Sequence, residues 1–184
     1  MKNLKTLVAH PLFRIFQNPI FLFVMWMCIT LVCCIFKLAQ GRYNNFLIFR
    51  QSYWDALAQI SLYLENLNAY LYGISFTVLI APFAVLPIPL GMILWCLANT
   101  AFLYYAIRKL EPETWKFTLI IWVSANDLYE AMVYQQYNVG IAAMIILAFV
   151  CIEKKKDFWA ALFIVVGTMT KIYGILGLAF ILFS

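Results

Sequence analysis

The feature that most constrains the fold is an uncharged run from Ile74 to Ile107. As one α-helix it would be about 50 Å long, well beyond a bilayer hydrocarbon core of about 30 Å. Pro87-Ile88-Pro89 falls inside it, so the spacing predicts a hairpin with limbs at 74–87 and 89–107. The first limb is short, which fits a thinned bilayer or a tilted neighbour. Another apolar run, Ile20–Phe36, precedes this one, and further runs occupy 139–152, 158–171 and 172–184. Only 11% of the chain is charged, 66% is hydrophobic and the mean hydropathy is +0.89. A soluble domain carries roughly a quarter charged residues. The predicted class is all-α, a polytopic transmembrane helix bundle.

Several chemistries lack raw material. His10 is the single histidine, and Cys28, Cys33, Cys34, Cys96 and Cys151 lie in apolar runs without CxxC spacing. No metal site, disulfide framework or cofactor is indicated. No glycine-rich phosphate loop is present. The net charge of +5 comes mainly from lysines and arginines beside apolar runs, which signals topology and not nucleic acid.

Lys2, Lys5 and Arg14 precede the first span, 20–38, and predict a cytoplasmic amino terminus. The chain then enters the long polar interval 41–73, predicted to be extracytoplasmic. Within it, 44–64 reads as an amphipathic interfacial helix, with Phe46, Phe49, Tyr53, Leu57, Ile60 and Leu64 inside about 80° of arc. Arg50 flanks that stripe and is placed to snorkel. Trp54, Tyr53, Tyr63, Tyr70 and Tyr72 fit an interfacial aromatic belt or sugar stacking.

Farther along, Arg108-Lys109 and Lys154-Lys155-Lys156 set conflicting requirements. The hairpin puts the first pair outside, whereas both groups belong inside by charge. Reading 116–138 as re-entrant or surface-lying, with 139–152 as a single crossing, reconciles them in part. Asn99 is expected to make an interhelical hydrogen bond. The last apolar run reaches Ser184 without a polar tail, so the expectation is the amino-terminal part of a longer protein.

The polar groups suggest a site. Asp55 and Glu65 are candidate general bases near a low-dielectric surface. Asn126, Asp127 and Glu130 form a second polar cluster, followed by Gln135, Gln136 and Asn138. Lys171, after Gly167 and Thr168, ends an apolar run and needs a counter-charge, a headgroup or an anionic substrate.

The order of these features resembles glycosyltransferase family 87, membrane mannosyltransferases of the GT-C class. The matching pieces are Asn45-Phe46-Leu47-Ile48-Phe49, Leu62-Tyr63, Tyr70-Leu71-Tyr72, Pro82 to Pro87, Leu94-Trp95 with Asn99, Gln136 with Asn138, and Gly167 with Lys171. The resemblance implies a GT-C-like bundle that transfers a sugar, mannose in that family, from a polyprenyl phosphate to a glycan or glycolipid acceptor. It implies the extracytoplasmic face of a bacterial inner (plasma) membrane, with membrane lipid as partner. Asp55 and Glu65 would be catalytic, and Asn45, Arg42, Arg50, Tyr72, Gln136, Asn138 and Lys171 would bind substrate. Two departures stand out: Asn45 occupies an acidic position of the family, and Gly174 replaces a proline three residues after the lysine. The alternative is a non-catalytic polytopic protein, a degenerate relative or a lipid-carrier or assembly subunit. A secondary transporter is disfavoured because no inverted repeat is visible.

Overall fold

The computed structural model describes residues 14–63 and 70–183. Within them the protein is all helical, with no strand. Helix α1, Pro19–Ala39, starts where Asn18 Oδ1 accepts from the Ile20 and Phe21 amides, with proline at the first helical position. It stops at Gly41, whose φ of +64° lets the chain turn back. Helix α2 is Asn44–Leu57, α3 is Phe76–Ala84 and α4 is Ile88–Lys109. Next come α5 (Thr114–Val123), α6 (Ala125–Val133), α7 (Asn138–Glu153) and α8 (Asp157–Thr170), and a 3-10 helix over Ile172–Phe183. Among the described residues, only α1 and α4 are long and apolar enough to cross a membrane.

α1 and α4 pack antiparallel. Thr30 and Thr100 share a hydrogen bond of 2.7 Å, and Tyr104 Oη donates to the Pro19 carbonyl. The chain breaks at 85–87 between α3 and α4, which pack closely there because Gly91 has no Cβ. One placed there would meet the Phe83 carbonyl oxygen at 2.4 Å. Asn99 differs from expectation. Its Nδ2 donates to the Trp95 carbonyl of its own helix at 2.8 Å, and Thr30–Thr100 makes the interhelical bond instead.

The segment after α4 also differs from expectation. Phe117 packs on Tyr104, Trp26 Nε1 donates to the Ile121 carbonyl, and Asn45 Nδ2 donates to the Tyr134 carbonyl. These contacts run α5 and α6 along the height of α1, so 116–138 climbs from one end of the bundle to the other. The break follows Val133, where Gln135 adopts φ 50°. α7 then descends beside α4, and Lys154 Nζ reaches Glu111 Oε1 at 2.6 Å. Arg108-Lys109 and Lys154-Lys155-Lys156 therefore share one end of the bundle.

The interfacial helix is shorter than its periodicity implied. It ends at Leu57, and Gln59 breaks the pattern with φ 56°. Its aromatic stripe also faces protein: Phe46 is fully buried and Phe49 nearly so, packed against Phe76 and Trp95. Tertiary contacts claim Phe46 and Phe49 from the face that amphipathicity alone assigned to lipid, whereas Leu57 and Ile60 stay exposed.

Candidate functional site

The end opposite the lysine cluster carries a cavity of about 540 Å³ lined by Asn45, Tyr72, Gln136, Thr170, Lys171 and Tyr173, among others. An aromatic floor packs beneath it, of which Phe49 and Tyr72 line the cavity itself. Phe76 lies 4.8 Å from Phe49, 5.6 Å from Trp95 and 5.5 Å from Tyr137 (ring centroids), while Trp95 and Tyr137 stack at 5.2 Å. Interlocked rings of this kind hold geometry well, because each pair adds roughly 1 kcal/mol beyond area burial.

Three segments meet above this floor. The first is the strap 70–75, in which Tyr70 Oη donates to the Gly73 carbonyl and the Tyr137 amide donates to Tyr72 Oη. Gly73 fits because it is glycine: a Cβ would sit 1.8 Å from the Met169 carbonyl oxygen, and its amide donates to the Thr170 carbonyl at 2.9 Å. The second is the break between α6 and α7. It presents Gln136 and Asn138, joined by a bond of 2.7 Å from Asn138 Nδ2 to Gln136 Oε1. Gln135, read as part of the same polar cluster, is buried, with its carbonyl accepting from Trp95 Nε1.

The third segment is the turn at Lys171, which has extended backbone between α8 and the 3-10 helix. That turn needs Gly174, because a Cβ there would lie 2.1 Å from the Gly167 carbonyl carbon. The departure from the family's proline is thus a requirement of this packing. Lys171 Nζ donates to Asn138 Oδ1 at 2.7 Å and sits between the rings of Tyr72 (5.2 Å) and Tyr173 (5.4 Å). Burial holds its ammonium below the ordinary lysine range, and burial raises the Tyr72 and Tyr137 phenols. Beside it, the hydroxyl of fully buried Thr170 has no hydrogen-bond partner.

Asn45, Tyr72, Gln136, Asn138 and Lys171 are therefore brought together: four line the cavity, and Asn138 bonds to two of those four. The remaining candidates stand apart from it. Arg42 is exposed and Arg50 half-buried, and neither lines the cavity. Asp55 accepts from Gln51 Nε2 at 2.8 Å on α2 and does not line it either. Glu65 lies outside the described residues. Tyr70 and Tyr72 belong to the buried aromatic floor, whereas Trp54 and Tyr63 are exposed. Thr170 and Tyr173 were missed in the sequence. A threonine ending an apolar helix and a tyrosine two residues past a lysine carry no periodic signal.

These features define an all-helical protein with a polar, cationic cavity at one end of an apolar bundle. The family model described as glycosyltransferase family 87 matches residues 70–184, which include the strap, the α6–α7 break and the Lys171 turn. The chain belongs to that family. No curated protein and no solved structure matches it.

Proposed function

We propose that this protein is a polytopic membrane glycosyltransferase that transfers a sugar, mannose by family analogy, from a polyprenyl phosphate to a glycan or glycolipid acceptor. The observation that carries the reading is the half-buried Lys171 ammonium, held near two tyrosine rings and tied to Asn138 at a cavity that Thr170 also lines. A half-buried cation among polar side chains suits a phosphate group. The aliphatic surfaces of α1 and α8, with Ile20, Val32, Ile35, Phe158 and Val165 exposed, suit lipid. In this reading α5 and α6 together form one crossing, and the lysine end faces the cytoplasm.

The chemistry asks little of a protein acid, because the polyprenyl phosphate leaves as a stable anion. Lys171 and Thr170 would stabilise the charge that develops as the bond from sugar carbon to phosphate oxygen breaks. Gln136 and Asn138 would orient sugar hydroxyls, and Tyr72 would present a ring face. A base must take the proton of the attacking acceptor hydroxyl. The sequence offers Asp55 and Glu65 for that role; Asp55 stands apart from the cavity, and Glu65 lies outside the described residues.

One observation favours a non-catalytic relative. Asn45 donates its amide to the Tyr134 carbonyl at 2.7 Å, acting as a tie between α2 and α6, and no carboxylate lines the cavity among the described residues. Sugar transfer in membranes from a polyprenyl-phosphate donor separates the two readings. Turnover abolished in Glu65→Gln supports the enzyme. A folded natural protein with no turnover, for any polyprenyl-phosphate hexose offered, supports the relative.

A further inference from the structure

At the opposite end of the bundle, a cleft of about 360 Å³ opens between α4, α7 and α8. Its mouth carries Lys109, Lys154 and Lys156, and its walls are Leu147, Val150 and Phe163 with the rings of Tyr105 and Trp159. Among the described residues no carboxylate lines it. Lys109 Nζ is held 5.1 Å from the centre of the Tyr105 ring, and Lys154 is fixed by its bond to Glu111. Lys155, with φ 53°, does not line the cleft. A general preference for basic residues at the cytoplasmic end accounts for the lysines. It does not account for three of them converging from α4 and the α7–α8 turn onto an apolar trough.

We propose that this cleft binds an anionic phospholipid, with the headgroup phosphate among Lys109, Lys154 and Lys156 and an acyl chain along Leu147, Val150 and Phe163. Basic pockets between membrane helices, floored by apolar side chains, match that amphiphile in charge and in shape. Trp159 and Tyr105 lie where aromatic rings meet the glycerol level of a bilayer. The occupant bridges α4, α7 and α8, and the last two also build the Lys171 turn. The inference rests on the bilayer location proposed above and is independent of sugar transfer.

The test is tryptophan quenching of the protein in vesicles of brominated phosphatidylglycerol or brominated phosphatidylcholine. The Trp159 part is taken as the difference between the natural chain and Trp159→Phe. Quenching of Trp159 several-fold tighter by the anionic lipid, with the preference abolished in Lys109→Gln/Lys156→Gln, is the expected result. Equal quenching by both lipids overturns the headgroup site while leaving the bilayer location intact. A preference that survives the double substitution assigns selectivity elsewhere and also overturns it. Loss of the preference on adding millimolar inorganic phosphate makes the cleft a free-phosphate site and overturns the lipid. Quenching by neither lipid refutes both the site and the bilayer location.

Discussion

Lys171 Nζ lies 2.7 Å from Asn138 Oδ1, and this bond joins the turn after α8 to the first residue of α7. The amide satisfies one ammonium proton without neutralising the charge, so the cation remains available to an anion. Through its Nδ2, Asn138 also holds Gln136. One side chain thus sets the positions of the cation and of a polar group facing the same cavity.

Replacing Lys171 with methionine keeps the stem and removes the charge. In the proposed transferase this is expected to lower turnover about 100-fold, the scale for loss of one buried charge-stabilising donor. An unchanged melting midpoint, measured alongside transfer, would assign the loss to chemistry and not to folding.

Asn138→Asp should leave the fold intact and weaken donor binding. A carboxylate at this distance pairs with the ammonium, raises its pKa and competes with phosphate. A rise in the donor KM of about tenfold, corresponding to about 1.4 kcal/mol, is expected in steady-state kinetics.

The pH profile follows from the burial of Lys171. Its ammonium is held below the ordinary lysine value, so it loses its proton at lower pH than a free lysine. Donor affinity is therefore retained at lower pH and lost as pH rises through that depressed value. In Asn138→Asp the falling limb moves to higher pH. Donor binding measured across the alkaline range reads both positions.

Gly73→Ala should be among the most damaging single-methyl additions. The new Cβ meets a backbone oxygen at 1.8 Å, which no rotamer relieves, so a loss of about 1–3 kcal/mol or more is expected. Gly41→Ala meets no atom within 4 Å and carries only the strain of φ +64°. Thermal unfolding in detergent should rank the former well below the latter.

Removing the hydroxyl of Thr30 or Thr100 breaks the bond between α1 and α4. Each threonine-to-valine change is expected to cost roughly 0.6–1.7 kcal/mol. The double variant should cost less than the sum, since neither hydroxyl is then left unpaired in the core. Midpoints of the three variants test this.

The apolar runs and the helix break at Pro87 were legible because each is written locally, in hydropathy and in fixed proline φ. Asn45, Tyr72, Gln136, Asn138 and Lys171 were legible as polar groups out of place in an oily chain. The length of α2 was not: the helical period continues past Leu57, but Gln59 turns left-handed. Nor was the course of 114–133 along α1, since it depends on contacts such as Trp26 with Ile121 and Asn45 with Tyr134, far apart in sequence.

By itself, then, the sequence determined an all-helical apolar chain, its family and most of the polar set at the cavity, because composition and short-range spacing encode them. The tertiary structure alone decided that the aromatic stripe of α2 turns inward, that Asp55 stands apart from the cavity, and that the two basic clusters share an end. Those outcomes depend on which faces meet across long separations, and no window of sequence contains both partners.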